Sequence, residues 1–487
     1  MRKMSFFLLG RHRNLRGAVL VLLLAFLTIT AAGCSAMVEA GIAPQTVENT
    51  VDVLQFTVTP ATSLPQPVTP SPIATRPAAP PIPSELTATP FPNFVEGELP
   101  AGPAAYLLPL TTRHLGEDRA VLFFELSEPG EGYLLYQEIL PGQLEAEVVP
   151  PGLLEVKAIP FSAAETRQQL TLDGLTPGTE YLAVVGVKDA QGTLRQPAFL
   201  GENWGSVRFR TLSGRVPLRV GVFGDASFGD PATEALVQQM AGQDLDFVLH
   251  TGDVVAKIQE NSGPVEAYAL KYYQTLAPLL HQLPIYTVIG NHDYDQPARW
   301  KDSYFYYYAF PPFPDPPFGD APQQGKQQYY AFAVHGIQFL MLDSQVIFGV
   351  SGREAQAAWM AERLADPRFR YTIPVFHVSP FFSGAVHPED QIPVRRSWHP
   401  VFASARVPLA VSGHSHHYER LAIDGITYIV SGGGSRILYA PGEVLPQSQV
   451  FARRTHFVLL EIYPDRIELS AVDKDGEWFD QAAVPLP

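Results

Sequence analysis

Cysteine is nearly absent: Cys34 is the single one in 487 residues. No intrachain disulfide can therefore support the fold. Charge is sparse as well, 17 % of residues, and lopsided, with 34 Lys and Arg against 49 Asp and Glu, a formal net of −15 at pH 7. Five of the basic side chains (Arg2, Lys3, Arg11, Arg13 and Arg16) stand in residues 1–33, which hold no acidic one. The remainder sets 29 basic residues (34 less 5) against 49 acidic ones. Such a field repels a nucleic-acid backbone, so no DNA- or RNA-binding surface is expected. Histidine is scarce too, 13 in all, yet three crowd into "GHSHHYER", residues 413–420. What is plentiful is apolar, 46 % of the chain. That supports a large buried core and excludes a wholly disordered protein. At this length two or three domains are expected.

The N-terminus reads as a targeting segment. The basic stretch "MRKMSFFLLGRHRNLR" precedes "GAVLVLLLAFLTITAA", an apolar run of about 16 residues, short for a membrane-spanning helix. The string "TAAGC" that ends at Cys34 resembles a bacterial lipoprotein lipobox, although Ala31 stands where Leu, Val or Ile is usual. The resemblance implies a signal peptide over 1–33, a lipidated Cys34, and a mature protein tethered in the cell envelope outside the cytoplasmic membrane. The alternative is an uncleaved signal anchor. Residues 34–100 read as a Pro/Thr-rich linker. About a third of the positions from Pro60 to Pro92 are proline, which lacks an amide donor and excludes helix and sheet.

Residues 101–213 change to short apolar runs broken by turn signals. "AVLFFELS", "GYLLYQEI", "QQLTLDGL", "EYLAVVGV" and "SVRFRTL" read as strands of an all-β sandwich. Within it, "LDGLTPGTEYLAVVGV" resembles the fibronectin type III pattern through Leu175, Pro177, Gly178, Thr179 and Tyr181. From residue 215 to 487 apolar runs such as "LRVGVFGD" and "LDFVLHTGD" flank a helix-like "PATEALVQQM". Such alternation indicates an α/β domain with its ligands at the C-terminal ends of strands.

Five polar clusters end apolar runs in that domain: Asp225 in "GD", Asp253 in "TGD", "GNHD" at 290–293, His377 in "VFH", and "GHSH" at 413–416. The residue types are Asp, Asn and His, without thiolate, a set that suits Fe, Mn, Zn or similar ions. A shared carboxylate with ligands from several loops would hold two ions ~3.5–4 Å apart, the spacing used in phosphoryl chemistry.

In order and spacing these motifs resemble the metallophosphoesterase (calcineurin-like) superfamily, and within it the purple acid phosphatases. "GHSHHYER", "YYAFAVHGIQFLMLDS" and "VFHVSPFF" carry the likeness beyond the ligands, over residues 101–487. The resemblance implies a four-layer α/β sandwich, two mixed β-sheets flanked by helices, preceded by the fibronectin type III-like sandwich. It implies that Asp253 bridges two divalent or trivalent ions. Asn291, His377 and His414 would complete one site, and Asp225 and His416 the other. A hydroxide between the ions would attack phosphorus in line. His292 would meet the leaving-group oxygen, Asp293 would orient it, and His387 would contact substrate.

Two positions depart from the family. Ala256 stands in place of the tyrosine whose phenolate colours ferric iron, and Ser227 in place of a histidine found in other members. The Asp225-side ion is therefore expected to bind weakly unless Ser227, Asp230 or water serves as a ligand. His250, His417 and Asp343 read as structural, and the aromatic run at 303–313 as packing of a proline-rich loop. The expected function is an extracytoplasmic, metal-dependent, acid phosphatase-like phosphomonoesterase acting on a phosphate ester. The alternatives are a phosphodiesterase or nucleotidase, or a non-catalytic surface-binding protein on a degenerate fold.

Overall fold

The computed structural model describes residues 99, 101–139, 156–226, 229–255, 264–294 and 329–487. The N-terminal segment with Cys34, most of the linker, Ser227, Ala256 and the aromatic run lie outside the described residues. Among described residues 101–210, nine strands and no helix occur. The five apolar runs form strands Arg119–Leu126, Gly132–Ile139, Arg167–Asp173, Glu180–Lys188 and Val207–Arg210. The turn before Tyr181 closes on that side chain: the Thr176 N–H donates to the Tyr181 hydroxyl at 2.8 Å, the kind of corner that pins a β-sandwich strand.

One long strand, Ala101–Leu115, was not legible, because Pro103 and Pro109 argue against a paired strand. It pairs antiparallel with Arg119–Leu126 and parallel with Leu194–Phe199. A register shift between Leu108 and Thr111 spans Pro109; such a bulge removes the proline from the ladder.

Among the described residues beyond 217 the chain builds two mixed sheets. One has six strands, with Leu218–Phe223, Phe247–His250 and Ile285–Thr287 parallel and adjacent. The other has seven, with Ile337–Met341, Tyr371–Val378, Leu409–Gly413 and Ile426–Ser431 as its parallel centre. The sheets pack face to face through aromatic rings. Phe247 meets Phe332 and Phe339 edge-on at 5.6 and 5.3 Å, and Tyr286 stacks on Phe332 at 3.7 Å. Helix Pro231–Ala241 buries Leu236, Val237 and Met240 in this same core. On the other side, helices Arg353–Leu364 and Gln391–Ser404 bury Trp359, Met360, Val394, Trp398 and Phe402 against the seven-stranded sheet. The first helix starts where Asp230 accepts the Ala232 and Thr233 N–H groups ahead of a proline, a strong N-terminal signal.

The apolar core is continuous from Tyr106 to Val484. Side chains of the N-terminal strands dock on the later helical segment Ala269–Gln274 and on the six-stranded sheet: Arg113 donates to the Tyr273 hydroxyl at 3.1 Å, and His114 Nδ1 lies 2.6 Å from that of Tyr286. His281 packs against Trp204 at 4.4 Å.

Burial holds the pKa of His114 down to about 3, and those of His281 and His456 to about 4. Each stays neutral in the fold, whereas the unfolded chain protonates these rings below about pH 6.5. Below that pH the unfolded state binds more protons, so stability is complete above pH 6.5 and falls toward pH 4. The loss is up to about 1.4 kcal/mol per pH unit for each group. Buried Asp343, whose carboxyl is raised to about 7, titrates in the opposite sense, so the histidine contribution is read by difference. His281→Asn is expected to make the fall in urea unfolding midpoint from pH 7.5 to pH 5 smaller than in the parent protein, and an equal change contradicts this account.

Candidate metal centre and active site

The ligand-type residues stand where strands end, and the registers bring those ends together. Asp225 follows strand Leu218–Phe223 and Asp253 follows Phe247–His250, in parallel register. Asn291 lies four residues beyond Ile285–Thr287, on a short 3-10 turn. His377 is in Tyr371–Val378, and His414 follows Leu409–Gly413, whose Gly413 is level with Val378. Asp225, Asp253 and His414 have φ of 58°, 52° and 68°. Non-glycine residues enter this left-handed region at a cost, and such strain concentrates at functional sites.

The backbone around the cluster is tied to its carboxylates. The His292 N–H donates to Asp253 Oδ1 at 2.9 Å, and the His414 N–H to Asp225 Oδ2 at 3.0 Å. Asp225 Oδ1 is buried without a hydrogen-bond partner and faces His416 Nε2 at 3.4 Å. Carboxylate and ring atoms of Asp225, Asp253 and His377 all lie within 4.8 Å of one another.

Hydrogen bonds on the far side of each ring decide which nitrogen faces inward. The Thr251 carbonyl, 2.8 Å away, requires a proton on His377 Nδ1. The Ile437 carbonyl does the same at His416 Nδ1, at 3.0 Å. The Asp390 carboxylate does so at His414 Nε2, also at 3.0 Å. The inward atoms of His377 and His414 are then Nε2 and Nδ1. Each lies 3.1 Å from Asn291 Oδ1, and they lie 3.3 Å from each other. Asp253 Oδ2 is 3.3 Å from His377 Nε2.

Lone pairs thus converge at spacings expected of nitrogen and oxygen ligands about 2.1 Å from a shared ion. Charge agrees with geometry. Burial alone would lower the pKa of His377, yet Asp253 and Asp225 push it up to about 10. Burial would raise that of Asp253, but the His377 and His292 charges hold it well below the carboxylate range. The cluster calls for positive charge, and its residues fit metal ions that would displace that proton.

A cavity of about 410 Å3 opens beside the cluster. Asp253, Asn291, His292, His387, His414 and His416 all line it. His292 is half exposed, its Nε2 3.9 Å from Asp253 Oδ2. The His387 ring centre is 6.2 Å from that of His414.

Asp293 does not orient His292, and this corrects the sequence-based expectation. Its oxygens accept the Gly290 and Val254 N–H groups at 2.8 and 3.1 Å, with the Tyr268 hydroxyl at 3.4 Å. Adjacent residues on a tight turn point apart, and this carboxylate pins the loop backbone. Asp230 likewise is no spare ligand, because its oxygens cap the helix and meet Arg436. His250 accepts the Gly252 N–H within the core, and Asp343 accepts the Gln345 N–H and the Tyr294 hydroxyl. Both serve the structure. So does His417, fully buried between Ser415 and Glu419.

The rest of "GHSHHYER" is a brace. The Tyr418 hydroxyl donates to Asp480 at 2.5 Å, Arg420 grips the same carboxylate with two nitrogens, and Glu419 takes the Ser383 N–H and hydroxyl.

Sequence reasoning missed Asp390 and Tyr439. Asp390 directly precedes helix Gln391–Ser404 but makes no capping bond; its carboxylate serves His414 instead. A carboxylate behind a ligating imidazole fixes the ring and raises its basicity. Asp390→Asn is therefore expected to weaken retention of Mn or Zn about ten- to hundredfold. Equilibrium dialysis checks this, and affinity equal to the parent protein contradicts it. Tyr439 stacks on His416 at 4.3 Å with the two rings nearly parallel; it had no motif signal.

Residues 218–418 match the model of the calcineurin-like phosphoesterase family. Probable purple acid phosphatase 20 of Arabidopsis thaliana is 24 % identical over 227 residues, covering 44 % of this chain and 49 % of that protein. Purple acid phosphatase 23 of the same plant is 24 % identical over 304 residues, 55 % of this chain and 62 % of that protein. The chain therefore spans about half to three-fifths of the length of these relatives. The solved purple acid phosphatase PPD1 from yellow lupin (Lupinus luteus) seeds shares the fold, with TM-score 0.60 and 16 % identity over 77 % of this chain and 74 % of that one. Over residues 218–418 the chain is thus similar to the calcineurin-like phosphoesterase family, and it resembles purple acid phosphatases in sequence and in fold.

Proposed function

We propose that the protein is an acid phosphatase-like phosphomonoesterase working outside the cytoplasmic membrane. The observation that carries this reading is the convergence of Asn291 Oδ1, His377 Nε2 and His414 Nδ1 at 3.1–3.3 Å beside Asp253. Asp253, Asn291, His377 and His414 would hold one ion, and Asp225 and His416 the other, with Asp253 shared. Bound there, two Fe, Mn or Zn ions would polarise a phosphoryl oxygen and bring the pKa of water near neutral.

The chain's own side chains supply the remainder. His292 donates a proton to, or stabilises charge on, the leaving-group oxygen from the cavity wall. His387 contacts the substrate across the cavity. In the same reading, 101–213 is the fibronectin type III-like module and 215–487 the four-layer catalytic sandwich. Lipidated Cys34 and the linker hold both at the membrane.

The test is a panel of phosphate monoesters and diesters offered to the purified full chain loaded with Mn, Zn or Fe. Monoester turnover is expected, and His292→Ala should lower kcat by about 10²–10⁴ with metal content retained. A silent panel sinks the enzymatic reading and leaves a surface-binding protein; faster diester turnover replaces the monoesterase with a diesterase. Cys34→Ser is expected to abolish incorporation of labelled fatty acid into the protein, and incorporation equal to the parent's contradicts the lipidation reading.

A further inference from the structure

The cavity beside the cluster, about 410 Å3, is large enough to enclose a small organic molecule and not merely a phosphate group. Phe348, Val378 and Tyr439 line it in addition to the polar cluster. Tyr439 is fixed in place, its ring stacked on His416 and its N–H donating to the His416 carbonyl at 2.8 Å.

Charge points the same way. No Lys or Arg occurs among the described lining residues, while Asp390, 29 % exposed, adds a carboxylate. Among the described lining residues a polyphosphate chain meets no guanidinium or ammonium to pair with its further charges, and the Asp390 carboxylate repels them. A polyhydroxylated sugar would strip water from its hydroxyls where it met Phe348, Val378 and the Tyr439 ring, at a cost.

We infer that this cavity selects monoesters whose alcohol carries an apolar ring, through Tyr439 and Phe348, over polyphosphates and small polar monoesters. The inference rests on the phosphoesterase reading and adds the substrate class. Benzyl phosphate and glycerol 1-phosphate are suitable probes, because both release an alkyl alcohol and intrinsic leaving-group reactivity does not decide between them. For the full chain loaded with Mn, kcat/KM for benzyl phosphate is expected to exceed those for glycerol 1-phosphate and ATP by about tenfold or more. Tyr439→Ala and Phe348→Ala should each move that ratio toward one, mainly through KM for benzyl phosphate. Tyr439→Phe, which keeps the ring, should preserve it.

An active enzyme with a ratio near one, or one that favours ATP, overturns the inference and leaves the phosphoesterase reading intact. Should no ester turn over, the enzymatic reading fails, and calorimetric binding of benzylphosphonate against methylphosphonate still decides: tighter benzylphosphonate binding that is lost in Tyr439→Ala supports the selective cavity, and equal affinities overturn it.

Discussion

Asp253→Ala is expected to lower kcat/KM for a phosphate monoester by about a thousandfold or more, with the protein still folded. The reason is electrostatic. Asp253 is almost wholly buried, and its Oδ2 faces both His377 at 3.3 Å and His292 at 3.9 Å. Removing it leaves Asp225 as the only other carboxylate of the Asp225–Asp253–His377 cluster. It also removes the acceptor of the His292 N–H, loosening the turn that carries the proposed proton donor. A loss of several kcal/mol of charge stabilisation corresponds to that factor. Steady-state rates, metal content and circular dichroism on the same preparation separate lost chemistry from lost fold. Parent-like activity in a folded Asp253→Ala variant refutes the assigned centre.

Gly290→Ala should damage the same centre without touching a ligand. A Cβ at Gly290 would lie 2.1 Å from Asp253 Oδ1 and 2.4 Å from the Asp253 backbone nitrogen. The nitrogen cannot swing away as a flexible side chain could, so the two loops must part. Forced overpacking of this kind costs about 1–3 kcal/mol, and separating Asn291 from His377 should abolish most of the activity. Gly242→Ala is the control, because its added carbon would meet nothing nearer than 3.6 Å. A drop in unfolding midpoint and metal content in Gly290→Ala alone is the expected pattern. If Gly290→Ala binds metal and turns over like the parent, the close approach of the two loops is not what holds the site together.

Much of the centre was legible because ligating residues interrupt apolar strands, and short-range patterns expose such interruptions. Asp225, Asp253, Asn291, His377, His414 and His416 were all marked this way, and the structure brings them together. His417 was separable from its neighbours by having no place in the ligand pattern, and it is buried against Glu419. Reasoning from adjacency failed at Asp293, where nearness in the chain to His292 suggested a partnership that the turn geometry denies. It also failed at Ala101–Leu115, where local proline signals argued against a strand that bulges accommodate.

Residue types and their order along the chain determined by themselves which donors the site can offer, since Asp, Asn and His at strand ends supply oxygen and imidazole ligands and no thiolate stands among them. Which ring nitrogen faces inward, that Asp390 stands behind His414, and that Asp480 braces Tyr418 and Arg420 were decided by tertiary structure alone. These partners lie 24, 62 and 60 positions apart, and no local pattern links them. Hydrogen bonds act over about 3 Å of space, and only folding turns sequence distance into that proximity.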